Sequence, residues 1–156
     1  MAETLGSLID KFSIACLRAE SAANRASECP TDEEKTQWER LRESVVTQKD
    51  NLKNEIDGFI SAALKGEVAL EEPKFKMYKN EKPSENKSVS LGGAIDKLFE
   101  ANATLWSLED QRRDKTKTDA EIREICDRVA SFNRLRNDKM DEINKLLSRL
   151  INPENP

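Results

Sequence analysis

The chain repeats itself. Leu5-Gly6-Ser7-Leu8-Ile9-Asp10-Lys11 returns 86 residues on as Leu91-Gly92-Gly93-Ala94-Ile95-Asp96-Lys97. Thr31-Asp32-Glu33-Glu34 returns 87 on as Thr118-Asp119-Ala120-Glu121, and Asn54-Glu55-Ile56-Asp57, again 87 on, as Asp141-Glu142-Ile143-Asn144. Three matches at nearly one offset mark an internal duplication, and a one-residue slip fits a loop of altered length. The two copies should therefore share one local fold, and residues 1–156 suit a single domain that holds both.

Apolar spacing says what that local fold is. From Leu5 a stripe runs through Ile9, Phe12, Cys16, Ala19, Ala23 and Ala26 in steps of four and three, predicting a first helix over about 3–28. Pro30 stops it. Thr31 and Glu34 form a capping-box pattern, opening a second helix that runs to about Lys65. Trp38, Leu41, Val45, Leu52, Ile56, Phe59 and Ala63 should face inward, and Gly66 is a natural stop. In the second copy a helix over about 90–114, the turn Lys115-Thr116-Lys117, and a second box at Thr118 and Glu121 lead into a helix ending near Ile151. The expected fold is all-α: a four-helix bundle built from two tandemly duplicated antiparallel helical hairpins, over residues 3–65 and 90–151. Two hairpins can bury each other's stripes around a pseudo-twofold axis, which one alone cannot do. Residues 66–89, with Pro73 and Pro83 in a polar stretch, read as a linker, whose Phe75, Met77 and Tyr78 either pin it to the bundle or form a docking peptide for a partner. Helices of about 40–50 Å at 1.5 Å per residue leave surface for a homo-oligomer or a protein partner.

Composition narrows the function classes. With 37% hydrophobic and 36% charged residues, the core is lean and the surface charged, as amphipathic helices require. Twenty-six basic and thirty acidic residues are interspersed, so no basic patch dominates and nucleic acid is disfavoured as a partner. No run approaches the roughly 20 apolar residues of a membrane span, and the first residues lack a signal-peptide pattern. A cytoplasmic location is expected, and Cys16, Cys29 and Cys126 at no metal spacing fit a reducing compartment. Histidine is absent. That removes histidine-based triads and histidine metal sites, leaving carboxylates, lysine, arginine or a hard metal ion for any catalysis.

The copies differ where function should be sought. Asn102, Glu109 and Arg112 stand on the third helix's stripe where Cys16, Ala23 and Ala26 stand on the first. On the fourth helix Arg136 and Lys139 interrupt a heptad of Ile122, Ile125, Val129, Phe132, Ile143, Leu146 and Leu150. Burying such groups costs several kcal/mol unless they are paired. In one reading the stripe slips by a residue onto Leu135 and Met140, while Arg136 and Lys139 reach outward. In the other, Asn102 and Glu109 form a polar ligand pocket with Arg123 and Arg128 across the hairpin. Counting from the turn sets Arg136 opposite Asp96, which would neutralise it.

Asn102-Ala-Thr-Leu-Trp106-Ser-Leu-Glu109-Asp110, then Arg136-Asn-Asp138-Lys-Met-Asp141-Glu142-Ile143, together with the Leu-Gly-x-x-Ile-Asp-Lys opening, resemble an uncharacterised family of bacterial helical proteins. Its members pair a Trp-x-x-Glu-Asp helix with one containing Arg-Asn-Asp. The resemblance covers about 90–147, and 4–60 through the duplication. It implies a helical bundle of prokaryotic cytosolic origin and no particular activity. A histidine that often follows the tryptophan in that family is replaced here by Ser107.

A second comparison is with all-α nucleoside triphosphate pyrophosphatases, which bind Mg²⁺ through carboxylates on facing helices. Asp96 and Glu100 are four apart, Asp138 and Asp141 three apart, and antiparallel counting brings Asp96 toward Asp138. The first copy has Asp10, Ile14, Asn51 and Asn54 at those places, so such a site would be single. No motif specifies a reaction. The first expectation is a non-catalytic helical interaction or scaffolding module without a cofactor; the alternative is an Mg²⁺-dependent nucleotide phosphohydrolase.

Overall fold

Four hydroxyl side chains start four helices. In the computed structural model, which describes residues 3–71 and 90–153, the helices are α1 (Leu5–Glu28), α2 (Asp32–Leu64), α3 (Leu91–Arg112) and α4 (Asp119–Ile151). Thr4, Thr31, Ser90 and Thr118 precede them in extended conformation, and each hydroxyl accepts the backbone N–H three residues on. The box at Thr118 is complete: Glu121 accepts the Thr118 backbone N–H at 2.8 Å, and that bond, with one from the Thr118 hydroxyl, lowers the Glu121 carboxyl below its ordinary pKa. At Thr31 it is half made, because Glu34 takes the threonine hydroxyl rather than its N–H. Thr4 and Ser7 complete a box that the sequence reading had not marked. α2 closes on Gly66 at φ +72°, with Gly66 donating to the Ala63 carbonyl and Glu67 to that of Ala62, a Schellman ending that favours glycine.

α1 packs closely on α2, and α3 on α4, as two antiparallel hairpins of an all-α four-helix bundle. Among the described residues there is no strand, and no helix is long and apolar enough to cross a membrane. Phe75, Met77 and Tyr78, expected to pin the linker or dock a partner, lie outside the described residues.

The hairpins do not meet symmetrically. α1 touches α2, α3 and α4, whereas α2 has at most marginal contact with the second hairpin. A helix with neighbours on several sides needs more than one inward stripe. Leu8, Ala15, Ala19, Ala22 and Ala26 are buried at heptad spacing, in step with Val45, Leu52, Phe59 and Ala63 of α2. Gly6, Asp10 and Ser13, one and two turns along another face, look at the second hairpin. The single expected stripe blended these two, which is why its Cys16 and Ala23 are only half-buried.

The shared core gathers at one end. Leu5, Leu8 and Ile9 meet Leu52, Phe59, Ala63, Ala94, Leu98, Ile143 and Leu147 there, with Phe12 and Phe99 edge-to-face at 6.2 Å. Toward the hairpin turns Leu105, Leu108 and Ile125 are buried outside that core.

Gly6 shows how tightly the closed flank fits. A Cβ there would lie 2.3 Å from the Met140 carbonyl oxygen, so α1 and α4 meet backbone to backbone. Gly92, its counterpart in the repeat, has nothing within 4 Å of that position. In urea denaturation, Gly6→Ala should lower stability by about 1–3 kcal/mol through overpacking. Gly92→Ala should raise it by up to about 1 kcal/mol through helix propensity. Equal, stabilising shifts at both sites would mean that the α1–α4 contact is absent in solution.

Candidate functional site

The first turns of α1 put Asp10 and Ser13 on the face that meets the second hairpin. Asp10 is 5% exposed and Asn102 4%. A carboxylate so deep must be answered by donors, and three converge on it. Asn102 Nδ2 donates to Asp10 Oδ1 at 2.9 Å, Arg136 Nε donates to the same oxygen at 2.7 Å, and Arg136 Nη2 donates to Oδ2. This is a side-on bidentate pair between α1 and α4, tied to α3 by the carboxamide. Ser13 fits beneath it, donating its hydroxyl to the Asp10 carbonyl at 2.8 Å and accepting the other Asn102 Nδ2 proton at 2.6 Å. The Asp10 hydrogen bond holds the Arg136 guanidinium above its ordinary pKa against the opposing pull of partial burial.

Toward the shared core, one turn back on α1 and about two turns on along α4, lies a second inter-hairpin contact. Asn144 accepts the Gly6 N–H at 2.7 Å and donates to Thr4 Oγ1 at 3.1 Å. The first N–H groups of a helix have no partner within it, and here a side chain from α4 supplies one. Lys139, between these contacts in sequence, is 1% exposed and places its ammonium 2.6 Å from Glu142.

On the other side of the Asp10 cluster a cleft of about 290 Å³ opens between α1 and the second hairpin. Ile14 and Leu17 of α1 form one wall, and Leu105 and Trp106 of α3 the other. Asn102 and Arg136 belong both to the cleft and to the buried cluster, so their positions are fixed from behind. Glu109, Asp110 and Arg113 come from the end of α3 and Asn133 from α4.

Asn102 and Glu109, expected in a polar pocket with Arg123 and Arg128, both line this cleft. Arg123 and Arg128 are exposed and do not line it, and Glu109 pairs instead with Arg112 at 2.8 Å, one turn along its own helix. Arg136 meets Asp10, not Asp96; hairpin counting considered only α3, while the approach of α1 brings a closer carboxylate. Lys139 and Arg136 do not reach outward as the one-residue slip required; both are drawn in by carboxylates. Asp10 and Ser13 were missed because they stand beside the apolar stripe. The signal was the spacing Gly6, Asp10, Ser13, a second stripe of small and polar residues.

The four carboxylates considered for Mg²⁺ are not gathered. Asp96 and Glu100 are exposed, with Glu100 on Lys97 at 2.7 Å, while Asp138 and Asp141 are half-buried on α4. Among the described residues no three acidic or cysteine side chains are grouped as ligands to a metal ion.

No protein-family model matches the chain, and neither a curated protein nor a solved structure does. Of the residues that suggested a bacterial helical family, Trp106, Glu109, Asp110 and Arg136 line the cleft, and no family model supports that resemblance.

Removing Asp10 leaves an uncompensated guanidinium that keeps only 29% side-chain exposure. Asp10→Ala should cost about 3 kcal/mol, the low end for breaking a buried pair. Asp96→Ala, the matching change in the exposed copy, should stay within about 0.5 kcal/mol. Chemical denaturation of the two variants checks this, and comparable losses would contradict the asymmetric cluster.

Proposed function

We propose that this chain is a non-catalytic helical interaction module that holds a second copy of itself or a protein partner. The observation that carries this reading is a pair of leucines left in solvent beside the shared core. Leu64, the last residue of α2, is 68% exposed, and Leu150, near the end of α4, is 66% exposed. α1 runs antiparallel to both helices, so the two leucines stand at the same end of the bundle, where Leu5, Ala63, Ile143 and Leu147 are packed. Two large aliphatic side chains next to a finished core are better covered than wet, by about 1.5–3 kcal/mol each when fully buried.

The side chains with the most chemical potential support the same reading. Asp10, Asn102 and Arg136 are engaged in holding the hairpins together, which suits a scaffold more than a reaction centre. Cys16, Cys29 and Cys126 are all free thiols, in keeping with a reducing, cytoplasmic setting. The Mg²⁺-dependent phosphohydrolase is the weaker alternative, since its candidate carboxylates lie apart.

Sedimentation equilibrium of the full chain tests the proposal, followed by co-purification from native cells if the mass is monomeric. A mass above the monomer's 17.7 kDa, or a stoichiometric partner, should be lost in the Leu64→Lys/Leu150→Lys variant while its melting temperature is retained. Assembly unchanged by the double substitution would remove this end as the contact surface. A monomer with no such partner would overturn the interaction reading.

A further inference from the structure

The cleft contains a cation whose position is already fixed. Arg136 uses Nε and Nη2 on Asp10, and Nη1 makes no hydrogen bond among the described residues. No buried polar side-chain atom among those residues lacks a partner, so Nη1 must be the edge that reaches solvent. Arg136 also lines the cleft. Guanidinium groups on flexible surface chains lose rotamer entropy when they bind; this one has lost it in folding.

The remaining surroundings define what fits. Ile14, Leu17 and Leu105 offer apolar contact, and Trp106 adds an aromatic side chain. The two rim carboxylates are answered on their own helix, Glu109 by Arg112 at 2.8 Å and Asp110 by Arg113 at 3.7 Å. Asp10 is engaged by Arg136 through Nε and Nη2, and the Nη1 N–H groups point away from that carboxylate as remaining donors of a charged group. A group that accepts from Nη1 gains most if it is charged, because charge-assisted hydrogen bonds are about twice as strong as neutral ones.

We infer that the cleft is a binding site for an amphipathic carboxylate, with an apolar or aromatic body against Leu17, Leu105 and Trp106 and its carboxylate on Arg136 Nη1. The class includes free small acids and the C-terminal residue of a peptide, which present the same two groups. This site is separate from the leucine-bearing end proposed above as the interaction surface, and either assignment can fail without the other.

The test uses the full chain carrying Trp38→Phe, which leaves Trp106 as its one tryptophan. Its fluorescence is titrated with phenylpropionate, phenylpropanol and phenylpropylamine, which share a body and differ in the head group. Phenylpropionate should saturate the signal and bind at least about tenfold more tightly than the alcohol or the amine, the size of one charge-assisted hydrogen bond. Arg136→Lys keeps a cation beside Asp10 but removes the planar fork, and should abolish the preference while the melting transition persists. An acetylated tetrapeptide ending in phenylalanine, as free acid and as amide, distinguishes the two sources. Tighter binding of that acid than of phenylpropionate points to a chain terminus, and the reverse order to a free small acid. Equal affinity for the three head groups, a preference for the amine, or no saturable change in the Trp106 signal would each overturn the assignment.

Discussion

One buried carboxylate decides how the halves of this molecule meet. Each hairpin could form from its own heptads and caps, but the bonds from Asn102 and Arg136 to Asp10 tie both helices of the second hairpin to one residue of α1 and so set where it sits. Apolar surface is non-directional: a stripe of leucine and alanine tolerates sliding and rotation. A bidentate arginine–carboxylate pair with a carboxamide on the same oxygen does not, because a displacement of one residue would leave a buried charge unmet. The Gly6–Met140 backbone approach and the Asn144 bonds depend on that register. So does the cleft, whose back wall is the same arginine and carboxamide.

The repeat shows why one flank closes and the other stays open. α4 offers Arg136, Met140 and Asn144 to α1. At the matching places α2 carries Lys49, Lys53 and Asp57, and Lys53 is bound to Asp50 at 2.9 Å in solvent. On α3, Asp96 corresponds to Asp10, but Phe99 takes the place of Ser13 and Cys16 that of Asn102. Asp96 therefore lacks the carboxamide, the arginine fork and the small neighbour that let Asp10 be buried. It is exposed, and α2 and α3 scarcely touch. The two hairpins share capping residues, but the side chains around Asp10 and around Asp96 differ, and that difference breaks the twofold.

Much of this was legible from one chain. Periodicity, Pro30, Gly66 and the capping residues place all four helices to within a few residues, because those signals are local and act through the backbone. The contrast between copies also pointed to Asn102, Glu109, Arg136 and Lys139 as positions where polarity meets burial. Their partners were not legible. Hairpin counting can pair α3 with α4, since a short turn fixes that register, but it cannot predict which face of α1 arrives from another hairpin. Hence Arg136 was matched to Asp96 and not to Asp10, and Glu109 to Arg123 and Arg128 when its own helix supplied Arg112. Asp10 itself entered only as the counterpart of Asp96, which is exposed.

The cluster is better understood as a device for choosing partners than as a source of stability. A buried ion pair gives little net stabilisation over apolar residues of the same volume, because desolvation offsets most of the attraction. For a chain made of two similar hairpins the more pressing hazard is wrong pairing, hairpin one with hairpin one of another molecule. In that arrangement Asp10 would face Cys16 and Lys49: a thiol in place of the carboxamide, and an ammonium that cannot make the fork. Hairpin two paired with itself would set Phe99 where Ser13 accepts from Asn102, leaving the carboxamide short of a partner. Only the pairing of hairpin one with hairpin two meets every donor and acceptor, so the polar groups penalise like-with-like pairing more than they reward the native state. The bundle can then leave Leu64 and Leu150 in solvent at one end without loosening the register between its two hairpins.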